Sequence, residues 1–166
     1  MTIRKLYGDI VSLAIDASTT HKIVIAHQVN CIPIMGAGLA LQIANAFPNV
    51  EREYRLKHDG WRLGDLQIVT THYYPNICVA NLAGQRGVKS RTNPVPTNLK
   101  ALSLALEGLS QWRSSDEATG YKLLFPIGMG CGHGGESWER VQPIIEERMQ
   151  PHHEFCFFVK RDRRRT

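Results

Sequence analysis

Ile23-Val24-Ile25-Ala26-His27-Gln28-Val29-Asn30, then residues 31–35 and Gly36-Ala37-Gly38, is the stretch on which the fold turns. Residues 23–29 are a run of β-branched and apolar side chains, the pattern of a strand buried on both faces. After the glycines, Ala40, Ile43, Ala44 and Phe47 recur at helical spacing, and Pro48 ends that stripe. The same order returns near the C-terminus, with an apolar strand over residues 121–127, then Gly128-Met129-Gly130-Cys131-Gly132-His133-Gly134-Gly135, then a helix from about Ser137. A glycine-rich turn at a helix N-terminus exposes backbone N–H groups and the positive end of the helix dipole, which suits an anion. Two such turns suggest a clamp on a diphosphate.

Outward from these junctions, strands and helices alternate. Residues 5–10 read as a short strand, followed by an irregular polar stretch to His21. Residues 49–58 read as a polar helix, and residues 66–70 and 77–82 as two antiparallel neighbouring strands. A loop rich in Gly, Arg, Asn and Pro spans residues 83–96, long enough to imply a task of its own. Thr97 is the expected N-cap of a helix carrying Leu99, Leu102, Leu106 and Leu109 on one stripe. The last helix carries Trp138, Val141, Ile144, Ile145 and Met149, with Pro143 moving its regular start toward Gln142. Residues 155–159 form the closing strand. The expectation is an α/β fold, a three-layer α/β/α sandwich on a mixed sheet of roughly six strands. It forms one domain over residues 1–160, with a basic tail at 161–166. Ligands of such sheets bind at the carboxyl ends of the strands, where both glycine junctions lie.

The 166 residues are 43% hydrophobic and 21% charged, as in ordinary globular domains. No apolar run approaches the ~20 residues of a membrane span, and no secretory h-region follows the N-terminus. Cys31, Cys78, Cys131 and Cys156 are widely spaced in or beside strands, as for buried thiols in a reducing cytoplasm rather than disulfides or a metal centre. His21, His58, His72, His152 and His153 show no metal spacing, and the pair His152-His153 reads as solvated. The net charge of +5 owes much to Lys160-Arg161-Asp162-Arg163-Arg164-Arg165, a solvated terminus or a nucleic-acid contact. Trp61 and Trp112 read as partly buried, and Trp138 as packing the second glycine loop against its helix.

Gly130-Cys131-Gly132-His133-Gly134-Gly135 satisfies G-x-G-x-x-G. Yet only one helix and one strand follow it, and no acidic residue ends the next strand, so a nicotinamide-dinucleotide fold does not fit. No Gly-Lys-Ser/Thr follows either, which removes a Walker phosphate loop.

Residues 27–31, 35–40, 64–67, 79–85 and 130–138, in this order, resemble the macro domain family over nearly the whole chain, from Tyr7 to Val159. The similarity is to its ADP-ribose-1''-phosphate-processing branch, found in phages and bacteria. The resemblance implies that Asp9, within Gly8-Asp9-Ile10, accepts from an adenine amino group while the Ile10 N–H meets a ring nitrogen. By the residues alone, Asp9 could equally make a local turn bond. The resemblance implies further that Asn30 holds the distal ribose. It also implies that Met35, Gly36, Ala37, Gly38 and Leu39, with Gln85 and Gly130, Cys131, Gly132, His133, Gly134 and Gly135, surround the diphosphate and that ribose.

One branch of the family cleaves ADP-ribose with a lysine and an aspartate, whose places here hold Gln85 and Gly134; only Lys89 is near. A lysine-adduct route is therefore not expected. The phosphatase-like branch places a histidine where His27 stands, and a histidine can activate water near neutral pH. His27, Asn30 and His133 are thus the candidate catalytic residues, with no cofactor and no metal. The expected protein is a monomer, in the cytoplasm of a bacterium or a phage-infected cell. It binds ADP-ribose or an ADP-ribosylated substrate and hydrolyses at the distal ribose. The alternatives are a non-catalytic ADP-ribose reader and, further off, a nucleic-acid-binding domain.

Overall fold

The computed structural model describes residues 2–162. Its six strands are β1 (Arg4–Tyr7), β2 (Lys22–Asn30), β3 (Leu66–Thr70), β4 (Ile77–Gln85), β5 (Tyr121–Pro126) and β6 (Cys156–Lys160), in the sheet order β1-β6-β5-β2-β4-β3. All neighbours are parallel except β3, which runs antiparallel to β4, so the sheet is mixed. The five parallel strands therefore end along one edge, and that edge carries both glycine turns.

The helices are α1 (Ile10–Ala17), α2 (Gly38–Ala46), α3 (Pro48–Arg55), α4 (Leu99–Arg113) and α5 (Trp138–Arg148). Alternate residues of β2 face opposite layers. Ile25 and Val29 join Ile10, Ile43, Phe47, Val50 and Tyr54 under α1–α3, whereas Val24 and Ala26 join Leu102, Leu106, Val141 and Ile145 under α4 and α5. This double burial is why β2 reads as a continuous apolar run. Leu102, Leu106 and Leu109 are completely buried, and truncating any one to alanine is expected to cost ~2–5 kcal/mol. Among the described residues no helix is long and apolar enough to cross a membrane.

Several local expectations are corrected. The first strand stops at Tyr7, and residues 10–17 form α1 rather than an irregular stretch, because Asp9 caps that helix by accepting from Ser12 N at 2.9 Å. Pro48 ends one helix and also opens the next at its first position, where a missing N–H costs nothing. The cap of α4 is Asn98, which accepts from Ala101 N at 2.9 Å. The side chain of Thr97 is engaged elsewhere. Pro143 lies inside α5, which begins at Trp138 all the same. Trp138 packs edge-on against Phe158 of β6, with ring centroids 5.4 Å apart. Trp61 is buried and donates to the Tyr54 carbonyl. His152 is also buried, its Nε2 3.0 Å from the Ser110 carbonyl, and His153 Nε2 lies 2.7 Å from the Glu146 carbonyl, so the pair is not simply solvated. Of the basic tail, Arg161 and Asp162 are described, and residues 163–166 lie outside the described residues.

Candidate functional site

A groove of two joined lobes runs along the carboxyl edge of the sheet. The first, of about 490 Å³, is lined by Gly8, Asp9, Ile10, Gln42, Asn45 and Arg161 among others. The second, of about 530 Å³, is lined by His27, Gln28, Asn30, Gln85 and the two glycine turns. Gly38, Leu39, Pro126 and Ile127 belong to both, so the lobes are continuous. Each volume lies within the range of small-molecule sites.

Asp9 stands at the head of the first lobe. Its Oδ1 accepts from Ser12 N and its Oδ2 from Gln42 Nε2, at 2.9 and 2.5 Å. Burial opposes its ionisation, but these hydrogen bonds outweigh it and hold the carboxyl below its ordinary range. The result is an oriented, charged acceptor. Beside it the Ile10 N–H precedes the first backbone bond of α1, which runs from Leu13 N to Asp9 O.

The second lobe lies between two sets of backbone donors. Ala37 caps α2 without any side-chain bond, and the first helical bond runs from Leu41 N to Ala37 O, leaving the N–H groups of Gly38, Leu39 and Ala40 free. Gly38 has φ +56°, a conformation that favours glycine, and its missing side chain would point into open space. On the other side, the N–H groups of Gly130, Gly132, His133 and Gly134 take no part in a hydrogen bond among the described residues. That loop is held from behind. Thr97 donates from Oγ1 to the Gly130 carbonyl at 3.0 Å, Thr97 N donates to the Gly134 carbonyl at 3.1 Å, and Gln28 Nε2 donates to Thr97 Oγ1 at 2.8 Å. A Cβ on Gly134 would collide with Thr97 Oγ1 and the Gly130 carbonyl, so only glycine fits there. Among the described residues no Lys, Arg, Asp or Glu lines this lobe.

The far end of the second lobe is polar but neutral. Asn30 donates from Nδ2 to the Gly87 carbonyl at 2.8 Å, and its Oδ1 accepts from Gly87 N and Ile32 N, each at 3.0 Å. It thereby ties the loop after β4 to the end of β2, with one Nδ2 hydrogen uncommitted. Gln85 donates to the same Gly87 carbonyl at 2.9 Å. Gln28 Oε1 is the one sealed side-chain oxygen or nitrogen without a partner among the described residues. His133 is exposed on the rim. His27 is only 2% exposed, its Nε2 lies 2.6 Å from Asn81 Oδ1, and burial pushes its pKa down to about 4 against the raising effect of that bond. It is a neutral imidazole at pH 7.

The structure thus brings Asp9 and Ile10 into the first lobe, and His27, Asn30, Gly36, Ala37, Gly38, Leu39, Gln85, Gly130, Gly132, His133 and Gly134 into the second. Three expected contacts lie off the groove. Met35 is buried, Cys131 turns its thiol to the Met129 carbonyl at 3.3 Å, and Gly135 packs against the Pro94 carbonyl. Gln28, Gln42, Val88 and Arg161 line the groove and were not expected. Gln42 follows Leu39 at helical spacing and so shares its face of α2, a signal present in the sequence. The inward turn of Gln28 depends on Thr97, 69 residues away, and had no local signal.

No protein-family model matches the chain, and no curated protein matches it. Solved structures do. A protein of unknown function from Bacteroides thetaiotaomicron aligns with a TM-score of 0.81 at 25% identity, over 98% of this chain and 99% of that one. The macrodomain of Mycobacterium tuberculosis DarG aligns with a TM-score of 0.74 at 20% identity, over 96% and 97%. Thermosipho africanus DarTG, solved in complex with ADP-ribose, aligns with a TM-score of 0.70 at 17% identity, over 91% of this chain and 41% of that one. With the mixed six-stranded sheet between two helical layers, these likenesses show that the chain has the macrodomain fold.

Proposed function

We propose that the groove binds ADP-ribose or a derivative of it, with the adenine in the first lobe and the diphosphate and distal ribose in the second. The observation that carries this reading is the pair of unpaired N–H sets, at Gly38–Ala40 and at Gly130, Gly132, His133 and Gly134, facing one lobe that holds no charged side chain among the described residues. Backbone donors and a helix dipole can hold a diphosphate without a lysine. The neighbouring lobe supplies what an adenine requires, a fixed anionic acceptor at Asp9 beside a free donor at Ile10. The ADP-ribose complex of the structurally similar DarTG supports the same ligand. A thermal-shift titration tests this: ADP-ribose raises the melting temperature in a concentration-dependent manner, whereas ribose 5-phosphate does not. A melting temperature unmoved by ADP-ribose contradicts it.

A second reading, hydrolysis at the distal ribose, is favoured by one observation: His133 lies exposed on the rim beside free N–H donors. Water would displace the substituent at the anomeric carbon, either a phosphate, as in the ADP-ribose-1''-phosphate-processing branch, or an ADP-ribosyl acceptor. Gln85 and Gly134 offer neither a lysine for an adduct nor a carboxylate as a base, so an enzyme built on this lobe would work through oriented water and histidine. Phosphate released from ADP-ribose-1''-phosphate, or ADP-ribose released from a modified protein or nucleic acid, identifies the hydrolase. Tight ADP-ribose binding with neither product identifies a reader.

A further inference from the structure

His27, Asn81 and Gln67 form one cross-strand row. His27 of β2 is in register with Asn81 of β4, and Asn81 with Gln67 of β3. All three therefore project from the same sheet face, beneath the layer of α1–α3. Their polar atoms join in sequence. Gln67 Nε2 donates to the Glu53 backbone carbonyl of α3 at 3.0 Å, Asn81 Nδ2 donates to Gln67 Oε1 at 2.9 Å, and His27 Nε2 meets Asn81 Oδ1 at 2.6 Å.

The direction of this row is not free. A backbone carbonyl can only accept, so Gln67 must turn its amino group toward Glu53 and its oxygen toward Asn81. Asn81 must then turn its own amino group toward Gln67 and its oxygen toward His27. A neutral imidazole facing that oxygen must carry its hydrogen on Nε2, which leaves a bare lone pair on Nδ1. Nδ1 has no hydrogen-bond partner among the described residues, and it is not among the sealed unpartnered atoms, of which Gln28 Oε1 alone is one. His27 lines the second lobe, so Nδ1 is its route to a ligand there.

We infer that His27 serves this lobe as a hydrogen-bond acceptor through Nδ1, and that Asn81 and Gln67 are positioning residues that set its tautomer from a backbone carbonyl three elements away. The inference rests on the proposed ligand only for what fills the lobe: a hydroxyl of the distal part of ADP-ribose, or a water bound beside it, donates to Nδ1. The histidine is then neither an imidazolium donor nor a packing residue. It selects a donor at that point of the ligand, and its selectivity is set by two amides that never touch the ligand. Asn81 is completely buried, so its bond to His27 is shielded from competing water.

The test is nitrogen-15 NMR on histidine-labelled protein at pH 7, with and without ADP-ribose. The ligand-free protein is expected to show His27 with a protonated Nε2 and an unprotonated Nδ1, and ADP-ribose is expected to shift the Nδ1 resonance in the direction of hydrogen-bond acceptance. In Gln67→Leu the Asn81 amide loses its fixed direction, and the His27 signal is expected to become a mixture of tautomers, with ADP-ribose bound roughly 2- to 10-fold more weakly. Gln67 is only half-buried on an outer strand, so this variant keeps the experiment decisive if Asn81→Leu does not fold. A protonated Nδ1 in the ligand-free protein, an unchanged tautomer in Gln67→Leu, or an Nδ1 resonance unmoved in the calorimetrically confirmed complex overturns the inference. Absence of ADP-ribose binding by the unaltered protein overturns the proposed ligand instead, while the ligand-free spectrum still decides for or against the row.

Discussion

The Thr97 hydroxyl donates to the Gly130 carbonyl at 3.0 Å, joining the entry of α4 to the turn after β5. Turning that carbonyl toward Thr97 takes an acceptor away from the groove and leaves donors facing it. It also leaves so little room that Gly134 cannot carry a side chain, whereas Gly132, two residues away, would project one into open space.

These two glycines should therefore fail differently. Gly134→Ala is expected to destabilise the fold by ~1–3 kcal/mol, the usual cost of overpacking, and to weaken ADP-ribose binding as the loop moves. Gly132→Val is expected to keep the unaltered melting temperature and lose ADP-ribose binding, because its side chain enters the lobe. Paired thermal melts and titrations check this, and a Gly132→Val protein that binds normally would place the diphosphate elsewhere.

Asp9 serves α1 and the groove together, and the two roles can be separated. Asparagine caps a helix about as well as aspartate, so Asp9→Asn is expected to retain stability while losing the charge. Its ADP-ribose affinity is expected to fall by ~1–2 kcal/mol, within the range for a charge-assisted hydrogen bond. Asp9→Ala is expected to lose the cap as well, at ~1 kcal/mol of stability. An Asp9→Asn protein with unchanged affinity would remove Asp9 from base recognition.

Burial of neutral His27 makes stability depend on pH in a fixed direction. Its folded pKa of about 4 lies below the ordinary 6.5, so the unfolded chain binds the additional proton between those values. Stability is therefore complete above pH 6.5 and is lost as pH falls toward 4, by a contribution on the order of 3 kcal/mol. Urea denaturation at pH 7 and pH 4.5 should show a larger acid loss for the unaltered protein than for His27→Gln. Parallel losses in the two proteins would contradict a neutral, buried His27.

Much of this could be read from the sequence, and the failures have physical causes. Residues 23–29 announce β2 because both of its faces are buried, and Leu102, Leu106 and Leu109 announce α4 because one stripe faces the core. The helix α1 escaped notice because Ile10 follows Leu6 and Tyr7 closely enough to extend a strand reading, while the turn that separates them depends on Asp9 accepting from Ser12 N. Thr97 and Asn98 are both good caps by type. Only the presence of Gly130 beside Thr97 leaves the task to Asn98. The glycine motifs marked turns that line the groove but not which of their residues face inward, so Met35, Cys131 and Gly135 were expected there and pack elsewhere. The acid–base role expected of His27 rested on its match to the histidine of the phosphatase-like branch; its burial and its bond to Asn81 are long-range facts.

If one continuous groove holds both halves of ADP-ribose, calorimetric titration at pH 7 will show it. Saturable one-to-one binding of ADP-ribose is expected, with AMP and ribose 5-phosphate each at least ~10-fold weaker, because each fills one lobe only and a tenfold loss corresponds to ~1.4 kcal/mol. The hypoxanthine analogue, which lacks the amino group that the proposed binding mode gives to Asp9, is expected to bind more weakly than ADP-ribose. No saturable heat with ADP-ribose up to ~1 mM, a limit of about −4 kcal/mol, or equal affinity for ADP-ribose and AMP, would show that the ligand does not span the two lobes.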